Sequence, residues 1–156
     1  SALLPHLGLK FIMPKEFENA EYFGYGDKET YPDRHKAFKL GLYKTTVTDM
    51  YEHYICPQEC GNRFATRYAS IAADDGSGIS ALNGKDFCFK ALHYDTEDII
   101  NAEHDFDLPP ADKTVLNIDW KVNAISEAED LDVPKNSRNL GDKEFDFGFK
   151  IVPFNK

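Results

Sequence analysis

A chain of 156 residues that is 42% hydrophobic and 13% aromatic, with twelve Phe and eight Tyr, has the large apolar side chains for one core, which excludes an intrinsically disordered segment. Its net charge of −9, from 27 acidic against 18 basic residues with no Lys/Arg stripe, excludes nucleic acid and anionic membrane as expected partners. No apolar run approaches the roughly 20 residues of a membrane span and the N-terminus lacks the plan of a signal peptide, so the compartment stays open between cytoplasm and periplasm.

The dominant period along the chain is two, the mark of half-buried strands. Leu9, Phe11 and Met13 begin it near the N-terminus. Cys56, Cys60 and Cys88 are too few and odd in number for a disulfide framework, and His53-x2-Cys56-x3-Cys60 falls short of four zinc ligands, so no metal site is assigned. Residues 63–73 and 79–82 read as strands separated by Asp74-Asp75-Gly76-Ser77-Gly78, and Asn83-Gly84 separates the second from a strand over 87–93. Asn-Gly tolerates the positive φ angles of a type I′ turn, so this stretch predicts an antiparallel meander of hairpins. The one helix begins at Thr96, which can cap Glu97-Asp98-Ile99-Ile100-Asn101-Ala102 with acids in the first turn, and Pro109-Pro110 follows.

Leu116, Ile118, Trp120 and Val122 then alternate with Asn117, Asp119, Lys121 and Asn123, predicting a strand with one apolar and one wet face. Residues 127–141, rich in acids, Asn, Ser and Pro, predict a long exposed loop. Phe145, Phe147, Phe149 and Ile151 alternate with Asp146, Gly148 and Lys150 in a last strand. Without an internal repeat or βαβ alternation, the pattern predicts an all-β fold, a single antiparallel β-sandwich with one short helix over residues 3–156, Ser1-Ala2 being read as an expression remnant.

A series of short motifs adds a resemblance. Leu4-Pro5-His6-Leu7-Gly8-Leu9, Tyr22-Phe23-Gly24-Tyr25-Gly26 and Glu29-Thr30-Tyr31-Pro32-Asp33-Arg34 are followed by Asp49-Met50-Tyr51, Tyr54-Ile55, Pro57-Gln58-Glu59, Gly61-Asn62-Arg63 and Arg67. Ala91-Leu92-His93-Tyr94, Ala102-Glu103-His104 and Leu116-Asn117-Ile118-Asp119 continue the series. In this order and spacing, over about residues 3 to 125, the chain resembles the last, small-chain domain of β-galactosidases of glycoside hydrolase family 2. The resemblance implies part of a β-supersandwich related to that of galactose mutarotases, with immunoglobulin-like domains and a catalytic barrel upstream. It implies a non-catalytic chain in an oligomeric parent enzyme that hydrolyses β-galactosides. Both catalytic glutamates would lie on the barrel; no cofactor is expected in this chain, and Mg or Na would belong to the parent's catalytic domain.

Retaining hydrolysis needs two carboxyl groups about 5 to 5.5 Å apart, and no such pair is assigned. Glu59 beside Arg63 reads as an ion pair fixing a loop. Asp33 and Arg34 are adjacent, so in extended chain they point apart, and the expected arrangement is a network joining Arg34, Arg63 and Arg67 to Glu29, Asp33 and Glu59. Tyr31 and Gln58 complete this structural motif. Tyr22, Phe23, Tyr25, Tyr51 and Tyr54 have the amphipathic rings that stack on sugars but read chiefly as packing, and His93 and His104 as packed or solvated. In relatives the loop after Leu-Asn-Ile-Asp carries a tryptophan into the sugar site; here Glu129, Asp130, Leu131 and Asp132 stand in that region, and Trp120 lies too early. Tyr25, Asp27 and Cys60 also depart from the family pattern. The alternatives are a free-standing carbohydrate-binding module, which needs a line of exposed aromatics, and a mutarotase-like aldose 1-epimerase, which needs a His acid and a carboxylate base facing one pocket.

Overall fold

The computed structural model describes residues 6–123 and 144–155. Its strands are β1 (His6–Pro14), β2 (Asn19–Tyr25), β3 (Leu40–Thr46), β4 (Arg63–Ala72), β5 (Ser77–Leu92), β6 (Lys113–Val122) and β7 (Lys150–Asn155). Two short helices, α1 (Val47–Met50) and α2 (Thr96–Asn101), and a 3₁₀ turn at Asp105–Asp107 fill the connections. The order is β1-β6-β5-β4-β2-β3, with β7 on β5, and every pairing is antiparallel. This is the all-β antiparallel sandwich class with little helix that the period-two pattern predicts.

β5 organises the sheet. Its first half, Ser77 to Leu82, pairs with β7, and its second half, Cys88 to Leu92, pairs with β6, while β4 runs along its other edge. Asn83-Gly84 is therefore strand interior and not the expected hairpin. The ladder outweighs the local turn preference, and Gly84 does not take up the positive φ that a type I′ turn requires. The turn at residues 74–78 forms as expected, with Ala73 N–H donating to Ser77 O at 2.8 Å and Gly76 at φ 86°.

Apolar residues of β2, β4, β5 and β6 gather in one core. Tyr22 of β2 is opposite Ala69 of β4, and Ala69 is opposite Ala81 of β5. These small side chains leave room for the Tyr22 ring to meet Phe89 from beyond β4, with centroids 5.8 Å apart. Tyr22 and Phe89 are fully buried, and such a ring contributes roughly 1.5–3 kcal/mol by leaving water.

Three local readings need correction. The N-cap of α2 is Asp95, not Thr96: its carboxylate accepts from Thr96 N–H at 2.7 Å, and Asp98 accepts from Asp95 N–H at 2.8 Å to close a capping box. Hydrogen-bonded strand begins only at Lys150; before it, Phe145 and Phe147 pack on Trp120 and Phe149 on Phe87. The polar face of β6 is dry along much of its length, since Asn117 and Asp119 are 4% and 3% exposed. The loop predicted over 127–141 lies outside the described residues.

Candidate functional site

Two groups of buried charge sit beside each other, and both begin with tight backbone geometry. In the first, Tyr31 to Arg34 forms a turn with Arg34 N–H donating to Tyr31 O at 3.0 Å, so Asp33 and Arg34 are not in extended chain as expected. The turn presents Glu29, 8% exposed, to the segment before β4. Its carboxylate accepts from Gly61 N–H at 3.0 Å, from the Tyr54 hydroxyl, and from Arg34 Nη1 at 3.4 Å. Gly61 holds φ 78°, and a Cβ there would stand 2.6 Å from Met50 O. Burial, then the Glu29 hydrogen bond, pushes the Tyr54 phenol up to about 12. Thr30 N–H donates to Asn62 O and Asn62 Nδ2 donates to Thr30 O, both at 2.8 Å, stitching the two segments together.

Arg63 lies at the centre of this clasp, fully buried, and bonds differently from the expected network. Nε donates to the Tyr22 hydroxyl at 2.9 Å, Nη1 to Gly61 O at 3.0 Å and Asn62 O at 3.4 Å, and Nη2 to Asp27 O at 3.4 Å. Among the described residues it pairs with no carboxylate, because loop carbonyls surround it. Arg67 is exposed on β4 and makes no ion pair among the described residues. Among the described residues the ion pair that forms within the expected network is Glu29 with Arg34, and Asp33 is half-buried in the turn.

Glu59 belongs to the second group. Lys90 Nζ donates to its oxygens at 2.7 and 2.8 Å, and the buried Tyr31 hydroxyl donates to Oε1 at 3.4 Å. The expected Glu59–Arg63 pair is replaced by Glu59–Lys90. Next to it, His6 Nδ1 lies 3.1 Å from Asp119 Oδ1. The Asp119 hydrogen bond raises the His6 pKa, against an opposing effect of burial. β1 approaches this closely because of a bulge between Leu7 and Gly8, where a Cβ on Gly8 would stand 2.3 Å from Ile118 O. The group borders a cleft of about 460 Å³ lined by His6, Pro57, Gln58, Glu59, Thr96, Ile99, Ile100 and Val122.

Sequence reasoning missed Lys90, Asp119 and His6. Lys90 had a signal: it is the one charge in Phe87-Cys88-Phe89-Lys90-Ala91-Leu92, and a lysine inside an apolar strand needs a partner.

A second concavity of about 270 Å³ lies where β4, β5 and the end of β6 meet, beside Ala65, Phe87, Cys88 and Trp120. Ala65, at the β4 bulge, holds φ 52°. Trp120 is engaged by Phe147, stacked at 5.8 Å and 9°, and by Lys121 Nζ at 4.2 Å from the ring centroid. Of the other aromatics weighed for stacking, Tyr22 and Tyr51 are buried, while Phe23, Tyr25 and Tyr54 are half-buried. His53 turns to Asp105, Cys56 is exposed and Cys60 is in the core, its thiol pushed up to about 12 by burial, so the three do not converge. His93 Nε2 meets Glu18 at 2.8 Å and its Nδ1 meets Lys113 O at 2.8 Å, while the exposed His104 stacks on Phe106. Glu129, Asp130, Leu131 and Asp132 lie outside the described residues.

Fold and site together define an antiparallel all-β domain whose deepest charges bind its own loops and strands. A family model described as beta galactosidase small chain matches residues 1–151, and the chain belongs to that family. It is 39% identical over 116 residues to a β-galactosidase of Streptococcus thermophilus, covering 73% of this chain and 11% of that protein. It is 32% identical over 149 residues to a β-galactosidase of Actinobacillus pleuropneumoniae, covering 96% of the chain and 14% of the relative. A β-galactosidase small subunit of Latilactobacillus sakei is 30% identical over 160 residues, covering 92% of the chain and 49% of the subunit. The chain thus spans about half the length of that subunit and a much smaller share of the other two relatives.

Proposed function

We propose that this chain is the non-catalytic, C-terminal part of the small-chain domain of a glycoside hydrolase family 2 β-galactosidase, stabilising the assembly and bringing a segment after β6 near the sugar site. The observation that carries the reading is the way three carboxylates are engaged within a family-matched chain. Glu29 is held by Gly61, Tyr54 and Arg34, Glu59 by Lys90 and Tyr31, and Asp119 by His6. A retaining glycosidase needs one carboxyl group as nucleophile and a second as acid/base, both facing substrate, whereas each of these three is engaged by a group of the chain itself. The same reading assigns the chemistry, and the Mg or Na that supports it, to a catalytic barrel elsewhere in an oligomeric parent.

The test is reconstitution. The chain and a parent enzyme lacking it are purified separately and assayed on a chromogenic β-galactoside, alone and mixed. Neither part alone turns over substrate, and the mixture does. Turnover by the purified chain alone overturns the reading, as does a truncated parent that keeps full activity.

A further inference from the structure

The one Asn-Gly pair of the chain, Asn83-Gly84, sits where β5 leaves its neighbours. On β4, Thr66 is opposite Phe87 and Tyr68 is opposite Leu82, so the stretch Asn83 to Asp86 faces a single β4 residue, Arg67. On the other edge, the register with β7 ends at Leu82 and the register with β6 begins at Cys88. Among the described residues, Asn83 to Asp86 therefore form a bulge in β5 through which neither register runs. Asn83 is half-buried, and Gly84, Lys85 and Asp86 are exposed. A Cβ on Gly84 would meet nothing within 4 Å. Solvent-exposed backbone outside the ladder is the part of a strand with the least to hold its dihedral angles.

The side-chain amide of an asparagine is open to attack by the backbone nitrogen of the next residue, and a glycine there presents no side chain to block the approach. In this bulge Lys85 N–H donates to Asn83 Oδ1 at 3.3 Å. The donor turns the amide back over its own backbone and faces the oxygen on which negative charge develops during the attack, as an oxyanion hole does. The chain's Asp-Gly pair, Asp75-Gly76, is set differently. The Ser77 hydroxyl and N–H donate to Asp75 Oδ1 and lower its pKa, which holds it as a carboxylate, a poor electrophile.

We infer that Asn83 is a self-modification site, where the folded chain converts its own asparagine into a mixture of aspartyl and isoaspartyl residues. The Gly84 nitrogen gives its proton to solvent and bonds to Asn83 Cγ. The Cγ–Nδ2 bond then breaks, and that nitrogen takes a proton from water and leaves as ammonia. Water adds to either carbonyl of the resulting cyclic imide and opens it, with no oxidation or reduction. Opening at one carbonyl leaves an aspartyl residue; opening at the other leaves an isoaspartyl residue, whose backbone is longer by one methylene. Both products add a negative charge beside Lys85 and Asp86, which line the concavity of about 270 Å³. The bulge accommodates the longer backbone because neither register spans it, so the aged chain keeps its fold while its charge changes at this one place. The inference is independent of the accessory role proposed above.

The test is peptide mapping by mass spectrometry of the full chain, held folded at mildly alkaline pH and physiological temperature and followed by circular dichroism. Position 83 is expected to exchange its amide for a carboxyl group and to yield both aspartyl and isoaspartyl peptides. Its rate should lie within about tenfold of that in the urea-unfolded chain. The buried Asn62 and Asn117, 1% and 4% exposed, should stay intact in the folded chain. Gly84→Ala, whose Cβ enters open space, should fold like the native chain and slow the reaction about tenfold. The proposal is overturned if position 83 of the folded chain stays intact while the unfolded chain reacts, or if no isoaspartyl product forms. It is equally overturned if Asn62 or Asn117 reacts as fast, if Gly84→Ala reacts like the native chain, or if the fold is lost as the product accumulates.

Discussion

The two groups of buried charge solve the same problem in opposite ways. Around Glu29 and Arg63 the charges are satisfied mostly by neutral groups: backbone N–H, backbone carbonyls and the hydroxyls of Tyr22 and Tyr54. Around Lys90 and Asp119 each charge meets an ionisable side chain, Glu59 for Lys90 and His6 for Asp119, and that side chain reaches the cleft. The difference predicts what survives the loss of a partner. Removing a guanidinium from the clasp strands several buried carbonyls without water. Removing the ammonium from the second group leaves a carboxylate that is 40% exposed, which water can solvate.

The largest effect expected is that of Arg63→Met, which should cost about 3–5 kcal/mol in urea unfolding of the chain. A loss of under about 1 kcal/mol would remove the clasp's claim to be the rigid half of the comparison. Gly8→Ala should follow at about 1–3 kcal/mol, since its Cβ would overlap Ile118 O and force β1 away from Asp119. Lys90→Met should stay within about 1 kcal/mol of the native chain, because Glu59 is partly hydrated and the methionine stem fills the same strand position. A cost as large as that of Arg63→Met would show that the two regions do not differ in kind.

The smallest effect depends on pH. The folded chain binds the His6 proton more tightly than the unfolded chain does, because Asp119 raises the folded pKa above the ordinary 6.5. The stabilisation is therefore fully present below about pH 6.5 and fades as pH rises through the higher folded value. His6→Asn should lower the thermal midpoint near pH 5.5 and leave it unchanged near pH 9, and a combined Gly8→Ala change should erase that difference. A midpoint shift independent of pH would mean that His6 acts by packing alone.

Much of the strand content was legible because burial on one face of a sheet forces a period of two, and Leu116, Ile118 and Trp120 carry that period openly. β2 and β3 were less legible, since Gly24 and Gly41 interrupt their apolar alternation. Asn83-Gly84 misled for a general reason: a local turn preference is small beside the ladder bonds that β4 and β7 supply to β5 on either side of it. The site was legible in part. Glu29, Tyr31, Arg34 and Glu59 are in contact with the groups around the turn, yet Arg63 found carbonyls and Glu59 found a lysine 31 residues away.

Local sequence by itself determined the class: alternating apolar residues, acids at a helix start and an Asp-Asp-Gly turn each act over a few residues, where composition and periodicity are visible. Only the tertiary structure decided which charges meet. Those choices depend on strands distant in the chain becoming neighbours, as when the β1 bulge at Gly8 brings His6 onto Asp119, 113 residues away. They also depend on burial turning a polar face such as that of Asn117 and Asp119 into a dry one, where each charge must find a partner or a dipole before the sheet can close.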